Sequence, residues 1–547
     1  MKRVSLCLSL FSLALTLFLA ALDIVICVTL YDTIGVKFND FANVGWLVTG
    51  YSLASAIAML LWGRLAAMFG LKASLMYSIV IFEIGSLISA LSNSMNMLIV
   101  GRIIAGLGGS GIESLVFVIG TAIVVEKYRG LIATLLSVAY MVAEGVGPFI
   151  GGAFTERVSW RWCFYINLPI GALAFLILEL AYNPNEQRSS ITRWKATLRN
   201  VWSWHYGELF TAHYWKSLVS LLVFELDILG VLISATGFTL LMLALSFGGT
   251  TFPWASGSLI TLFVLSPVLI LLFCVYDFQF LPYLSKRLSN IVVKPLLLWS
   301  TASNWGILTS SAAGLFSCFA YSLQSVFLVQ HYQIVQNKGP MLASIHLWEF
   351  SIPACIAAVI MGVLNAQHGT IKPFMIFGVF CGVVGSGLLC LLTGYSTLSD
   401  SIAYSLLPGL AFGCILQASL LSAQVQIPLE DPEYNQKFIE VTALVSFSHA
   451  MGFSLGGNMG TMIFITSIKN LVKHSNSKVD LPAFTTIEEL VAYRTSNYDG
   501  PNSPLARILT EAIRNVFYCA LGCYGLAFLF GIFTSSKKTR VSAKKHR

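Results

Sequence analysis

The sequence predicts an all-α integral membrane protein with fourteen transmembrane helices. Composition, the succession of long apolar runs and the sidedness of lysine and arginine carry that expectation. Of 547 residues, 56% are hydrophobic and only 11% are charged, and the mean hydropathy is +0.78. A soluble domain carries roughly 25% charged residues and needs polar side chains to cover its surface. Soluble globular classes are therefore excluded.

A helix needs about 20 apolar residues to cross the hydrocarbon core. Such runs lie near 4–30, 45–63, 73–92, 98–125, 130–155, 163–182, 229–247, 257–276, 305–330, 344–364, 373–393, 401–427, 440–468 and 515–534, which makes fourteen. The first run is longer than the roughly 7–15 residues of a signal-peptide core. It also carries Asp23 and is followed by no small-residue cleavage pattern, so it is expected to remain as a helix.

Lysine and arginine in short loops mark the cytoplasmic side. Lys2 and Arg3, Arg64 and Lys72, Lys127 and Arg129, segment 183–225, Lys286 with Arg287 and Lys294, and the tail from Lys537 to Arg547 all fall on one side when fourteen spans are counted. The opposite loops 93–97, 248–256 and 394–400 contain neither residue. Both termini are thus expected in the cytoplasm. Two segments dissent: the acidic Glu430-Asp431-Pro432-Glu433 is placed inside, and 469–514, with six Lys and Arg, is placed outside. Long loops cross largely regardless of charge, which weakens the second objection. In the basic segment 183–225, Trp194, Trp202, Trp204 and Trp215 lie among Arg188, Arg193, Lys195, Arg199 and Lys216. That mixture suits a helix lying on the membrane surface, or equally a solvated connector, and not a nucleic-acid site.

All eleven cysteines lie in apolar stretches with no disulfide or zinc spacing, so no metal site is expected and they pack as small apolar residues. No phosphate-binding loop of the G-x-x-x-x-G-K-[ST] form is present, which argues against an ATP-driven pump. Neither a cofactor nor an enzymatic activity is expected.

Ionisable groups inside a bilayer are costly, and each is a functional candidate. Asp23, Glu83, Arg102, Glu113 and Glu144 fall inside spans one, three, four, four and five. At about 1.5 Å per residue, Asp23 lies roughly 10 Å and Arg102 roughly 8 Å below the outer ends of their spans, so the two can pair. The same count puts Glu83 and Glu144 near the midplane and Glu113 nearer the cytoplasm. A carboxyl group in a low-dielectric cavity holds its proton toward neutral pH, the property a proton-coupled carrier requires. The alternative is that these groups are fixed polar ties between helices. Later spans contain no carboxylate of comparable depth, only edge candidates such as Glu349 and Glu440. Midplane carboxylates favour cationic cargo, and an aromatic content of 13% suits a greasy, adaptable pocket.

Glycines mark close helix contacts. Span four holds Gly101, Gly106, Gly108, Gly109, Gly111 and Gly120, and span five has Ala143, Gly147 and Gly151 at steps of four, the spacing at which backbones approach. Pro148 removes a backbone hydrogen bond and is expected to bend its helix.

Several of these residues form a recognisable series. The stretch Gly63-Arg64-Leu65-Ala66-Ala67-Met68-Phe69-Gly70-Leu71-Lys72 resembles the loop signature of the major facilitator superfamily. Leu98 through Arg102 to Gly106 and Gly109 resembles its span-four signature, and Gly147-Pro148-Phe149-Ile150-Gly151-Gly152 its exporter signature. Leu22-Asp23 with Thr29-Leu30, Trp46-Leu47, Tyr51, and Trp160-Arg161-Trp162-Cys163-Phe164-Tyr165-Ile166-Asn167-Leu168-Pro169-Ile170-Gly171 resemble the fourteen-spanner drug:proton antiporters. The match departs from the family at Ala67, where an acidic residue normally helps to lock one state, at Met68 and at Ala105.

The resemblance implies a major facilitator fold of two six-helix bundles plus two extra helices, with substrate at the midplane between the halves. Residues 1–182 and 277–534 would form the bundles, 183–228 an amphipathic cytoplasmic linker, 229–276 the additional pair, 469–514 a long external loop and 535–547 a basic cytoplasmic tail. It implies a monomeric, fungal-type plasma-membrane antiporter that exchanges protons for lipophilic cationic dyes and drugs. Asp23 and Arg102 would couple protons, while Glu83, Glu113 and Glu144 would meet substrate. Gly63, Arg64, Gly70, Lys72, Gly147, Pro148, Gly151 and Gly152 would govern the motion. Vacuolar uptake of basic amino acids, siderophore transport and a non-transporting membrane sensor are the alternatives. Glu83→Gln or Glu144→Gln is expected to weaken transport of cations more than that of neutral drugs.

Overall fold

The structure is a computed structural model. It describes residues 3–182, 226–474 and 490–539, apart from 39, 41–43, 249–251, 288–294, 297–298, 340–341, 344, 491–492, 495–497 and 502. The linker 183–225, residues 475–489 of the expected external loop and the end of the tail lie outside the described residues.

Among the described residues, fourteen helices are long and apolar enough to cross a membrane, and every run expected from the sequence coincides with one. We number them α1 Arg3–Val28, α2 Trp46–Phe69, α3 Leu71–Ala90, α4 Met95–Ala122, α5 Arg129–Arg157, α6 Asn167–Ala181 and α7 Ile228–Phe247. Then follow α8 Gly257–Val275, α9 Trp305–Gln330, α10 Trp348–His368, α11 Lys372–Leu389, α12 Leu398–Gln424, α13 Tyr434–His474 and α14 Pro504–Ile532.

Caps appear where helices leave the apolar layer. Ser94 accepts from Met97 N–H, and Thr397 with Asp400 forms a reciprocal capping box, satisfying amides that a helix start leaves bare. A single residue, Gly70, turns the chain from α2 into α3 at φ 89°, a left-handed conformation that glycine alone adopts without strain. Gly369, at φ 68°, ends α10 just before α11. The recurrence belongs to a wider repeat. In the first half α1 packs on α5 and α6, and α3 on α4; in the second α9 packs on α13 and α14, and α11 on α12.

Each half has its own apolar core. Phe327, Phe350, Phe464 and Tyr524 anchor the second, while Tyr51, Trp62 and Phe82, with a neighbouring cluster around Phe164, anchor the first. The two halves meet along α5 with α10 and α2 with α13. The added pair α7–α8 lies beside the α2–α13 seam, where Phe238 packs edge-on against Phe447 and Met242 touches Ala56 and Met451. Only Leu259, Ser266 and Phe273 of α8 are buried. Its remaining apolar surface suits lipid.

Two ends differ from expectation. Helix α14 begins at Pro504, eleven residues before the expected 515, and α13 runs from Tyr434 rather than 440. Arg507, Glu511 and Arg514 interrupt the apolar run; yet Leu505, Ile508, Leu509, Ala512 and Ile513 form a buried stripe at helical spacing, with Arg507 and Glu511 exposed. Amphipathicity rather than mean hydropathy sets that boundary.

The dissenting charged segments have local partners. Lys437 bonds Asp431 at 2.7 Å and lies 3.6 Å from Glu433, and its ammonium holds the Asp431 carboxyl below the usual range. Glu430 shares a cleft with Arg129, Lys537 and Lys538, so the acidic loop lies at the same end as basic residues. At the opposite end Arg494, fully buried, donates to the carbonyls of Ile334 at 3.2 Å and Gly500 at 2.7 Å and pairs with Asp499. It fastens the start of α14 to the end of α9. The end bearing Lys72, Arg129 and Lys537 is expected to face the cytoplasm. A tag on the tail should therefore resist labelling on intact cells and become labelled on permeabilisation. Labelling without permeabilisation contradicts that orientation.

Candidate functional site

Helix α1 carries Asp23 and α4 carries Arg102, and the α1–α4 crossing brings them into an ion pair of 2.5 Å, with both side chains fully buried. Asn167 at the start of α6 donates to the other Asp23 oxygen at 2.8 Å and to Ser86 at 3.1 Å. Arg102 also donates from Nε to the Leu47 carbonyl at 3.2 Å. Its guanidinium lies 4.6 Å above the ring of Tyr51 and 5.8 Å from that of Phe164. A buried pair survives desolvation only when its remaining polar atoms are largely satisfied, and Asn167 and Leu47 supply that satisfaction.

From this pair a polar line runs into a cavity between the halves. Tyr51 seats its hydroxyl on α4 at Gly109, where a β-carbon would strike it. That hydroxyl is buried without a hydrogen-bond partner and lies within electrostatic reach of both Asp23 and Glu113. Glu113, one turn beyond Gly109, lines the cavity. Tyr140 of α5 lies between the fields of Glu113 and Glu144, and Glu144 accepts a hydrogen bond from Tyr321 of α9 at 3.0 Å. Tyrosines thus separate successive acidic groups.

The cavity measures about 60 Å³. Leu17, Met59, Glu113, Phe117, Ser137 and Tyr140 face it from the first half, and Leu416, Gln417, Leu420, Ser446, His449 and Phe453 from the second. That volume suits waters rather than a drug-sized ligand, which needs about 300 Å³ or more. Cross-half contacts flank the cavity on both sides. Towards the basic end Gly63 meets the β-carbon of Ala443, Arg129 donates to Tyr434 at 2.8 Å, and Thr134 reaches the Ala358 carbonyl at 3.1 Å and Gln417 at 3.2 Å. Towards the other end Trp348 donates to the Gly145 carbonyl at 2.8 Å and packs on Phe149.

The three carboxylates expected to meet substrate therefore do not converge. Glu113 lines the cavity, and Glu144 joins the halves through Tyr321. Glu83 lies on α3 with its carboxyl against Gly171 of α6, its oxygens buried without a hydrogen-bond partner, and within reach of Asp23. It stands behind the Asp23 pair, away from the cavity lining. Helical depth places it at the midplane, but the face it occupies points into its own half.

The expected conformational residues lie at helix contacts and turns. Lys72 pairs with Glu179 at 2.9 Å, tying the start of α3 to the end of α6. Arg64 is buried beside Gly63, Ala67 and Glu440 and lies within electrostatic reach of Asp227 at the start of α7. Gly147 abuts Val25 of α1 and Gly151 abuts Thr29 just past its end, whereas Gly152 has open space around it. Pro148 lies inside a helix that stays continuous from Arg129 to Arg157. Sequence reading singles out no site role for Tyr51 and Asn167, although both fall within its motifs. It misses His449 and Tyr321 because a search for acidic and strongly basic residues in the spans passes over them. Among the described residues, no group of three His, Cys, Asp or Glu is arranged to hold a metal ion.

A family model, the Major Facilitator Superfamily, matches residues 13–302. The chain belongs to the major facilitator superfamily. Protein SGE1 of Saccharomyces cerevisiae is 59% identical over 547 residues, covering 100% of both chains. Vacuolar basic amino acid transporter 5 of the same yeast is 42% identical, covering 99% of this chain and 92% of the relative. Its Azole resistance protein 1 is 40% identical, covering 98% and 89%. The solved structure of the proton:xylose symporter XylE aligns with a TM-score of 0.55 at 12% identity, covering 97% of this chain and 96% of that one, a likeness of fold alone. This major facilitator protein is a multi-pass membrane transporter, not an enzyme.

Proposed function

We propose that the protein is a proton-coupled exporter of lipophilic organic cations, working by alternating access as a monomer in the plasma membrane. The observation that carries the reading is the cavity lining. Among the described residues it is apolar and aromatic, with the single carboxylate Glu113 and neither lysine nor arginine. Such a lining suits a delocalised cation, which pairs with the carboxylate and stacks on Phe117, Tyr140 and Phe453. Asp23 and Arg102 would handle the proton, and Tyr51 would connect them to Glu113. A proton and a cation competing for one carboxylate couples the two fluxes directly.

The similarity to a vacuolar basic amino acid transporter raises a second reading. A basic amino acid also brings an α-carboxylate, which needs a cationic partner. The described lining offers neither lysine nor arginine, and Arg102 is committed to Asp23. Anionic siderophores meet the same objection. Azole resistance, the property in another relative's name, fits the apolar lining.

Glu113→Gln should reduce efflux of a lipophilic cationic dye on the order of tenfold or more, and that of a neutral azole by a smaller factor. Glu83→Gln should affect both compounds alike, because Glu83 does not line the cavity. Efflux normalised to protein in the membrane distinguishes these outcomes. Equal losses for both compounds in Glu113→Gln contradict the cation reading.

A further inference from the structure

His449 on α13 faces the cavity from the second half, opposite Glu113, and no sequence motif marks it. Its ring orientation is fixed by two neighbours. Nε2 lies 2.9 Å from the Ser419 hydroxyl of α12, and the Nε2–Cδ2 edge presses against Gly314 of α9, where a β-carbon would lie 2.5 Å from Nε2. The same hydroxyl lies 3.2 Å from the Leu416 carbonyl, so its proton can serve either contact and it can bond Nε2 in either sense. The Nε2–Cδ2 edge is thus held against α9 and α12, while the residue as a whole lines the cavity.

We propose that His449 is the charge-selecting residue of the substrate cavity. Neutral, it leaves the Glu113 field intact; protonated, it becomes a cation beside a cation site and excludes a positively charged substrate. The inference rests on the cation reading of the cavity given above. The other titratable groups that face the ring are Glu113 from α4 and Tyr140 from α5; α2 contributes Met59, α9 Gly314, and α12 Ser419 and Gln417. Among the described lining residues, Glu113 is thus the only group able to offset a charge on the imidazole. A positive charge on His449 in the same cavity opposes the pull of Glu113 on a cationic substrate. The cavity would accept cations where its facing compartment is near neutral and release them where that compartment is acidic, the polarity an exporter needs.

The test is equilibrium binding of rhodamine 6G, a lipophilic cation, and of fluconazole, a neutral azole, to the full-length purified protein between about pH 4 and 8. His449→Arg fixes the positive charge and is expected to weaken rhodamine binding by about tenfold or more at every pH, and fluconazole binding by a much smaller factor. His449→Gln keeps a donor for Ser419 and cannot be charged. It should bind rhodamine as wild type does at the alkaline end, and should displace about one fewer proton per rhodamine bound at acid pH. A packing role alone predicts equal losses for both ligands and an unaltered proton count, and that result overturns the proposal. Glu113→Gln in the same assay separates the two claims. Glu113-dependent rhodamine binding with wild-type behaviour in both His449 variants overturns the His449 role alone. Rhodamine binding indifferent to Glu113 overturns the cation reading, and the His449 proposal with it.

Discussion

Asp23→Asn should abolish proton-dependent efflux while leaving the protein in the membrane. The amide cannot take up or release a proton, so an exchange that runs through this position stops. It still offers an oxygen to Arg102, which Asp23 pairs with at 2.5 Å in the native chain, so the local geometry is largely kept. Removing the negative charge leaves the Arg102 guanidinium buried without a counter-ion, at a cost of about 3–5 kcal/mol where nothing relaxes. Some loss of membrane level is therefore expected, and it must be separated from loss of coupling. The double variant Asp23→Asn with Arg102→Gln removes both charges and should restore protein abundance without restoring efflux. Efflux driven by an imposed pH gradient in vesicles, normalised to protein, gives the answer. Full proton-driven efflux in Asp23→Asn would exclude the coupling role and leave the pair as a structural tie between α1 and α4.

What is legible in the sequence follows from what each signal depends on. Hydropathy over about twenty residues depends on the local chain alone, and it finds all fourteen helices. Depth, which a helix fixes at about 1.5 Å per residue, matches Asp23 to Arg102, and they meet. Depth does not reveal which face of a helix a side chain occupies. For that reason it groups Glu83 with Glu144 at the midplane, although the Glu83 carboxyl lies against Gly171 within the first half. The second half reads as empty of site residues because its contribution is neutral: His449, Gln417 and Tyr321 carry polarity without a formal carboxylate charge. The acidic loop at 430–433 reads as misplaced because a count of loop charges ignores pairing, and Lys437 with Asp431 answers it locally.

Glycine positions give the other large effect, because several are contact points between backbones rather than sites of flexibility. Gly413 of α12 lies against α10 so closely that a β-carbon would come within 2.8 Å of both the Ala354 α-carbon and its carbonyl carbon. In the first half Gly108 meets Phe82 in the same way, with the α-carbon of Phe82 at 2.7 Å from a built β-carbon. Backbone atoms cannot rotate away as a side-chain tip can, so Gly413→Ala must push α12 from α10. Such overpacking costs about 1–3 kcal/mol, against the roughly 0.5–1 kcal/mol that alanine gains over glycine inside a helix. The displacement also reaches the cavity, because Gln417 stands one turn beyond Gly413 and bonds Thr134 across the halves at 3.2 Å. Gly413→Ala should therefore lower both thermal stability and efflux, with loss of cationic and neutral compounds alike. Gly387→Ala on α11, where nothing lies within 4 Å of the added atom, should be neutral or slightly stabilising. Melting of the two purified variants compares the terms directly. If Gly413→Ala melts with Gly387→Ala and the wild type, the α10–α12 crossing is looser than a backbone contact, and glycine there serves motion instead of packing.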